Sequence, residues 1–402
     1  MGLNDTPRAN RPHIGFFGRR NAGKSSLLNA VTNQDISVVS EYAGTTTDPV
    51  SKAMEMLPAG PVVVIDTPGF DDVGELGELR VKKTKQVLNK TDAAILVCDA
   101  LTGKTDCDRQ LISLFKAKDI PYIVAYTKCD LVKSIPQPSE SENEIYVSSV
   151  TGSGIDALKD RIASLISVNA KKQVLVSDLV NPGELIILVV PIDSSAPLGR
   201  LILPQQQTIR DGLDSGAQVL AVRDTELEQA LSDCGKKPSL VITDSQAFGK
   251  VMKIVPKDIP LTSFSILMAR NKGFLKNALE GAQKLDGLCD GDRVLICEGC
   301  THHRQCEDIG TVKLPKWISE YSGKKLEFEF TSGTGFPEEL SGYALIVHCG
   351  GCMLTERDVR HRMLCAADAG VPFTNYGTAI AKINGILSRS VEPLHGKLTL
   401  PR

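Results

Sequence analysis

Gly18-Arg19-Arg20-Asn21-Ala22-Gly23-Lys24-Ser25 fits the pattern G-x-x-x-x-G-K-S and stands between an apolar run, His13 to Phe17, and a helical stretch, Ser26 to Val31. In that setting it reads as a phosphate-binding loop at the first turn of a parallel sheet. Glycines let backbone amides surround phosphate oxygens, and the helix N-terminus behind them favours anions. Gly18, Asn21, Ala22, Gly23 and Ser26 line the loop, Lys24 reaches the β and γ oxygens, and the Ser25 hydroxyl ligates Mg2+. The fold implied is an α/β domain with a parallel sheet.

Three further segments follow in the order such a loop requires. Gly44-Thr45-Thr46-Thr47-Asp48 supplies hydroxyls that order on a magnesium-bound γ-phosphate, with Thr46 as the ligand. Asp66-Thr67-Pro68-Gly69 ends an apolar strand, where Asp66 holds magnesium through water and the Gly69 amide meets the γ-phosphate. Thr127-Lys128-Cys129-Asp130 ends a later strand and approximates the guanine-reading N-K-x-D, with Asp130 accepting two hydrogen bonds from the base edge. Thr127 stands where Asn is usual, and Ser148-Ser149 approximates the loop that closes over the base. The expected nucleotides are GTP and GDP, and Lys24, Thr46, Asp66 and Gly69 are the residues expected at the reacting phosphate.

The 402 residues, 42% of them hydrophobic, suffice for two or three domains with well-buried cores. A net charge of -2 offers no broad attraction to nucleic acid or anionic lipid. The strongest apolar run, Leu185 to Ile192, is too short to span a bilayer, and residues 1–13 lack a secretory-type apolar stretch. The expectation is a cytoplasmic protein with no membrane and no nucleic-acid partner.

Strand-turn-helix alternation predicts strands at His13 to Phe17, Val62 to Asp66, Ala93 to Asp99, Tyr122 to Thr127 and Ile145 to Ser148, within a nucleotide domain of residues 11–170. Residues 171–261 predict a small α/β domain with strands at Leu185 to Val190, Gln218 to Val222 and Ser239 to Thr243. It holds no catalytic constellation, so interaction or dimerisation is its expected role. Residues 262–402 predict strands at Arg293 to Cys297, Leu326 to Phe330, Ala344 to His348 and Pro372 to Asn375. Helical periodicity there runs over Phe264 to Leu285, Pro315 to Tyr321, Thr355 to Ala369 and Ala379 to Ser388. Alternation of this kind again implies a parallel sheet covered by helices.

Eleven cysteines in a reducing compartment argue for metal or redox chemistry rather than disulfides. Seven of them, Cys289, Cys297, Cys300, Cys306, Cys349, Cys352 and Cys365, fall in the last third of the chain. Cys300-Thr301-His302 and His348-Cys349-Gly350-Gly351-Cys352 supply three thiolates and two imidazoles, a set that suits an iron-sulfur cluster or a Cys3His zinc site. The 45 residues between His302 and His348 exceed the usual zinc-finger spacing, so a folded sheet must bring the donors together. Strands ending at Cys297 and His348 put them at the carboxyl edge of a parallel sheet, where such sheets bind ligands.

The nucleotide motifs resemble the TrmE-Era-EngA-YihA-Septin branch of translation-factor GTPases, which carries G-R-x-N-A-G-K-S and G-T-T-R-D; Thr47 departs from that Arg. The resemblance implies that Asn21 helps bind an activating K+. Phe70 follows Gly69 where many small GTPases have a water-orienting Gln, so slow intrinsic hydrolysis is expected, with Glu75 and Glu78 read as solvated charges.

The whole order, a potassium-type GTPase, an intermediate domain, then C-x-H and H-C-x-x-C, resembles the HydF family of FeFe-hydrogenase maturation GTPases. The resemblance implies a 4Fe-4S cluster held by Cys300, Cys349 and Cys352, with an exchangeable fourth position. His302 and His348 stand either at that position or as neighbours that orient a cysteine. It further implies assembly or carriage of the two-iron subcluster and its delivery to apo FeFe-hydrogenase. The partners it implies are two radical S-adenosylmethionine maturases, and a homodimer, with a tetramer as the larger alternative. The competing reading is an RNA-associated, potassium-dependent GTPase with a structural zinc.

Overall fold

The computed structural model describes residues 8–33, 50–70, 84, 86–132, 143–169, 174–192, 201–299, 309–333 and 335–396. The chain divides into two compact units, residues 1–171 and 172–402.

The first unit is built on a six-stranded sheet in the order β2-β3-β1-β4-β5-β6. The strands are β1 His13–Gly18, β2 Val50–Met56, β3 Gly60–Asp66, β4 Ala93–Asp99, β5 Tyr122–Thr127 and β6 Glu144–Tyr146. All pair in parallel except β2, which runs antiparallel to β3 at the edge. The central strands are apolar on both faces because helices cover both. Phe16 and Ile95 join the core beneath the helices Lys24–Thr32 and Ile155–Asn169, while Phe17 and Leu96 pack with Phe115 of the helix Asp106–Ala117 on the other side. Strand β2 was not expected. Its first four residues are exposed, so it has no apolar run of its own and owes its conformation to pairing with β3.

The second unit holds two parallel four-stranded sheets, β10-β9-β7-β8 and β12-β11-β13-β14. Here β7 is Leu185–Val189, β8 Gln218–Val222, β9 Leu240–Thr243 and β10 Leu261–Ser263. In the second sheet β11 is Arg293–Cys297, β12 Glu327–Thr331, β13 Leu345–His348 and β14 Phe373–Asn375. One continuous apolar core takes Ile186, Leu188 and Ile242 from the first sheet and Leu295, Ile346 and Phe373 from the second. Polar ties join the same parts: Arg270 holds Asp178 through two hydrogen bonds of 2.7 and 3.1 Å, and Asn375 Nδ2 donates to the Ser265 carbonyl at 3.0 Å.

Two predicted helices are each broken in two. Phe264 to Leu285 is a helix over Phe264–Asn271 and another over Leu275–Ala282, and Ala379 to Ser388 is divided between Tyr376–Ile383 and Leu387–Val391. The breaks fall at Gly273 (φ 76°) and Gly385 (φ 68°), left-handed residues that end a helix. In each case the next amide closes back on the helix, Phe274 N to the Ala269 carbonyl at 3.0 Å and Ile386 N to the Ala381 carbonyl at 2.9 Å. Among the described residues no helix is long and apolar enough to cross a membrane.

Candidate functional sites: a phosphate loop and a cysteine turn

The phosphate loop leaves β1 at Gly18, whose φ of 142° is open to glycine, and a Cβ there would stand 2.3 Å from the Val97 carbonyl oxygen of β4. Asn21 (φ 60°) and Gly23 (φ 87°) carry the left-handed turns that lead into the helix Lys24–Thr32. Lys24 is buried, and its Nζ donates to the carbonyls of Gly18 (3.2 Å) and Arg19 (2.8 Å), which folds the ammonium across the loop where phosphate oxygens would lie. Ala22 is buried, Ser26 is exposed, and Asn21 is exposed at the loop's crest.

Ser25 Oγ donates to Asp66 Oδ2 at 3.2 Å, and Asp66 Oδ1 is buried without a hydrogen-bond partner. An orphaned buried oxygen of this kind costs about 1–3 kcal/mol, and a divalent cation would satisfy it. Burial holds the Asp66 carboxyl above the usual carboxylate range, against the Lys24 charge and hydrogen bonds from Ser25 and Thr67. The pair therefore fits Mg2+. Gly69 follows, and the Phe70 amide donates to the Gly18 carbonyl at 3.3 Å, while the half-buried Phe70 ring packs on the apolar cluster around Phe17. Thr46, Glu75 and Glu78 lie outside the described residues.

At the segment expected to read guanine, Thr127 Oγ1 lies 2.6 Å from the Ala22 carbonyl and 3.1 Å from that of Cys98. Lys128 Nζ donates to the Asn21 carbonyl (3.1 Å) and to Asp99 Oδ2 (2.7 Å). Asp130 is exposed and free to meet a base edge. The Ser148 hydroxyl is buried and accepts from the amides of Val150 (3.3 Å) and Thr151 (3.2 Å), which shapes the loop carrying the half-buried Ser149.

The cysteine turn begins at the carboxyl end of β13. His348 pairs in register with Cys297 of β11 on one side and Asn375 of β14 on the other. The Cys349 sulfur accepts from the amides of Gly299 (3.1 Å) and Gly351 (3.4 Å), an arrangement that favours a thiolate. Burial raises the Cys349 thiol, and those two amides act against it. Cys352 is half-buried and its thiol is pushed up to about 11, chiefly by burial. Cys297 is wholly enclosed, its thiol pushed up to about 12 by the same cause, as suits a packing residue.

Glycine is needed at two places here. A Cβ on Gly299 would stand 2.7 Å from Leu354 Cγ, and Gly351 has φ 67° with Val359 Cγ2 2.9 Å from its Cβ position. The turn thus admits backbone amides to the sulfur only because side chains are missing.

His348 is buried, and both ring nitrogens are engaged: Nδ1 lies 2.7 Å from the Cys349 carbonyl and Nε2 3.2 Å from Arg362 Nη1. The carbonyl only accepts and the guanidinium only donates, so the proton sits on Nδ1. Burial, then the Arg362 charge, lower the ring's pKa to about 3. Cys300, His302, His303 and Cys306 lie outside the described residues. Among the described residues no three His, Cys, Asp or Glu side chains are grouped to hold a metal.

Sequence reading did not single out Glu298, Gly299, Lys272 or Arg362. A signal existed for Arg362, which shares the buried face of its helix with Val359, Met363 and Ala366. A charged residue on an apolar stripe calls for a reason.

Comparison with known proteins gives three matched stretches. Residues 13–128 match the 50S ribosome-binding GTPase family model, 175–273 the hydrogen maturase F dimerization domain and 276–393 the hydrogen maturase F tetramerization domain. The tRNA modification GTPase MnmE of Streptococcus pyogenes is 34% identical over 156 residues, covering 39% of this chain and 33% of that protein. MnmE of Streptococcus pneumoniae is 33% identical over 156 residues, covering 39% and 34%. The chain thus spans about a third of the length of the curated relatives it matches. The solved G domain of the T. maritima FeoB iron transporter is 23% identical, with a TM-score of 0.31 over 39% of this chain and 98% of that one. With both hydrogen maturase F domains following a GTPase domain in one polypeptide, the chain belongs to the hydrogen maturase F (HydF) family.

Proposed function

We propose that the chain is a GTP-hydrolysing scaffold in FeFe-hydrogenase maturation. It binds a 4Fe-4S cluster with an exchangeable position, assembles or carries the two-iron subcluster, and delivers it to apo-hydrogenase. The observation that carries this reading is the Cys349 sulfur, which receives two backbone amides at the open end of a parallel sheet in a chain that also holds a magnesium-ready phosphate loop.

In the nucleotide site, Lys24 and the loop amides bind and orient the phosphates, and Ser25, Asp66 and Thr46 would hold Mg2+, which supplies charge neutralisation at the β and γ oxygens. Asn21 would serve K+, Asp130 reads guanine with Ser148 and Ser149 shaping the base loop, and the Gly69 amide serves the γ-phosphate. Phe70 has no group to orient water, so turnover is slow and suits a timer.

In the cysteine site, Cys349, Cys352 and Cys300 would hold the cluster, whose chemistry is to accept further iron through a free corner. Gly299, whose amide lies 3.1 Å from the Cys349 sulfur, directly precedes Cys300 in the chain, which supports convergence of the three thiols. His348 acts as an orienting residue, because both of its nitrogens are spent on the Cys349 carbonyl and Arg362. His302 stands as the alternative fourth ligand. The two family domains support oligomerisation, read here as a homodimer with a tetramer as the alternative, and the partners are the two radical S-adenosylmethionine maturases and apo-hydrogenase, in the cytoplasm. The two HydF-specific matches do not favour the RNA-associated zinc alternative.

Anaerobic reconstitution tests the reading: about four irons and four sulfides per chain are expected, with loss in Cys300→Ala, Cys349→Ala and Cys352→Ala. One tightly held zinc and no iron would overturn it.

A further inference from the structure

Arg362 is 1% exposed, yet no ion pair joins it to a carboxylate among the described residues. Its Nη1 meets His348 Nε2 at 3.2 Å, its Nη2 donates to the Gly333 carbonyl at 2.6 Å, and its guanidinium lies 5.4 Å from the Phe336 ring centre. Its Nε is buried without a partner. Burying a permanent cation without a counter-charge is expensive, and guanidinium cannot escape by losing its proton. Such a group is tolerated where a negative charge is expected beside it.

The nearest occasion for one is the cysteine turn. From Arg362 the chain of contacts runs to His348 Nε2, through the ring to Nδ1, and on to the Cys349 carbonyl at 2.7 Å. A second buried cation, Lys272, donates to the Leu354 carbonyl at 2.9 Å and approaches the turn on the Cys352 side. Glu298, also buried, is a carboxylate that accepts from Tyr376 Oη at 3.3 Å. Among the described residues the turn is thus approached by the Arg362 guanidinium through His348 and by the Lys272 ammonium at the Leu354 carbonyl. Thiolates bound to iron and inorganic sulfide carry net negative charge, so the cluster is the anion that this setting suits.

We propose that Arg362 is a positioning and counter-charge residue for the cluster: its fixed positive charge stabilises the thiolate-bound iron, and its hydrogen bond locks His348 against the Cys349 carbonyl. The proposal rests on the cluster reading above. A cation close to the cluster favours the reduced, more negative state, so removing it lowers the reduction potential. It also weakens iron retention, since outer contacts of this kind are worth about 10-fold to 100-fold in metal affinity.

The test compares wild type, Arg362→Gln and Arg362→Lys, all loaded anaerobically with iron and sulfide, by potentiometric titration followed spectroscopically and by the rate of iron loss to a chelator. Arg362→Gln keeps an amide for the Gly333 carbonyl and loses the charge; it is expected to show a lower potential and about tenfold faster iron loss. Arg362→Lys keeps the charge and should hold a potential close to wild type. Wild-type values in Arg362→Gln, or an equal shift in Arg362→Lys, would overturn the proposal while leaving the cluster in place. If Arg362→Gln does not fold, Arg362→Met replaces it as the charge-free variant: a lowered potential beside a wild-type potential in Arg362→Lys supports the charge, and wild-type values in Arg362→Met overturn it. A wild type that takes up no iron removes the cluster reading, and the proposal with it.

Discussion

Thr127 Oγ1 and the Ala22 carbonyl oxygen are 2.6 Å apart, which ties the end of β5 directly to the phosphate loop. In N-K-x-D the first residue is an Asn, and the threonine in its place here reaches the loop with a hydroxyl. The tie is buried, so its loss leaves a carbonyl unsatisfied.

Thr127→Val should therefore cost about 1–2 kcal/mol, or roughly tenfold in GDP affinity by calorimetry. Thr127→Asn, whose amide can donate to the same carbonyl, should bind close to wild type. Unchanged affinity in Thr127→Val would show that the tie does not shape the site.

Asp66→Asn removes a buried carboxylate whose Oδ1 has no partner. The nucleotide-free variant should melt no lower than wild type, while the magnesium-dependent rise in melting temperature with GTP disappears and hydrolysis falls by about 100-fold or more. An intact magnesium-dependent rise would place the metal elsewhere.

Gly299→Ala sets a methyl 2.7 Å from Leu354 Cγ and drives the Gly299 amide away from the Cys349 sulfur. Overpacking of this sort costs about 1–3 kcal/mol, and iron content after reconstitution should fall with it. Gly350→Ala is the control, since its Cβ would meet nothing closer than Ser265 Oγ at 3.6 Å. Equal iron content in the two variants would remove the role given to the Gly299 amide.

Gly273→Ala and Gly385→Ala meet open space but need a left-handed residue. Each should lower stability to chemical unfolding by about 1–2 kcal/mol without altering nucleotide or iron binding. Helical continuity through either position would instead leave stability unchanged or raised.

Those two glycines also mark where sequence reading runs out. Strands with an uninterrupted apolar run were legible to the residue: Ala93–Asp99, Tyr122–Thr127, Gln218–Val222 and Arg293–Cys297 carry the bounds that their residues predict. Strand β2 was illegible because its outward residues, including Lys52 and Glu55, give no apolar stripe and only the partner strand makes it one. Helical periodicity continues past Gly273 and Gly385, and a left-handed φ leaves no trace in periodicity. The place of the phosphate loop between β1 and the helix Lys24–Thr32 was legible because its spacing is local. Arg362 was not, since its partner His348 comes from a different element and the contact exists only in the fold.

The central proposal is that one polypeptide holds an iron-sulfur cluster at its cysteine turn, assembles or carries the two-iron subcluster there, and hands that subcluster on. The most direct measurement incubates the chain with both radical S-adenosylmethionine maturases, repurifies it, and adds it to apo FeFe-hydrogenase while hydrogen evolution is followed. Wild type should activate the hydrogenase, and Cys349→Ala should not. Equal activation by both proteins, or none by an iron-loaded wild type, would contradict the account.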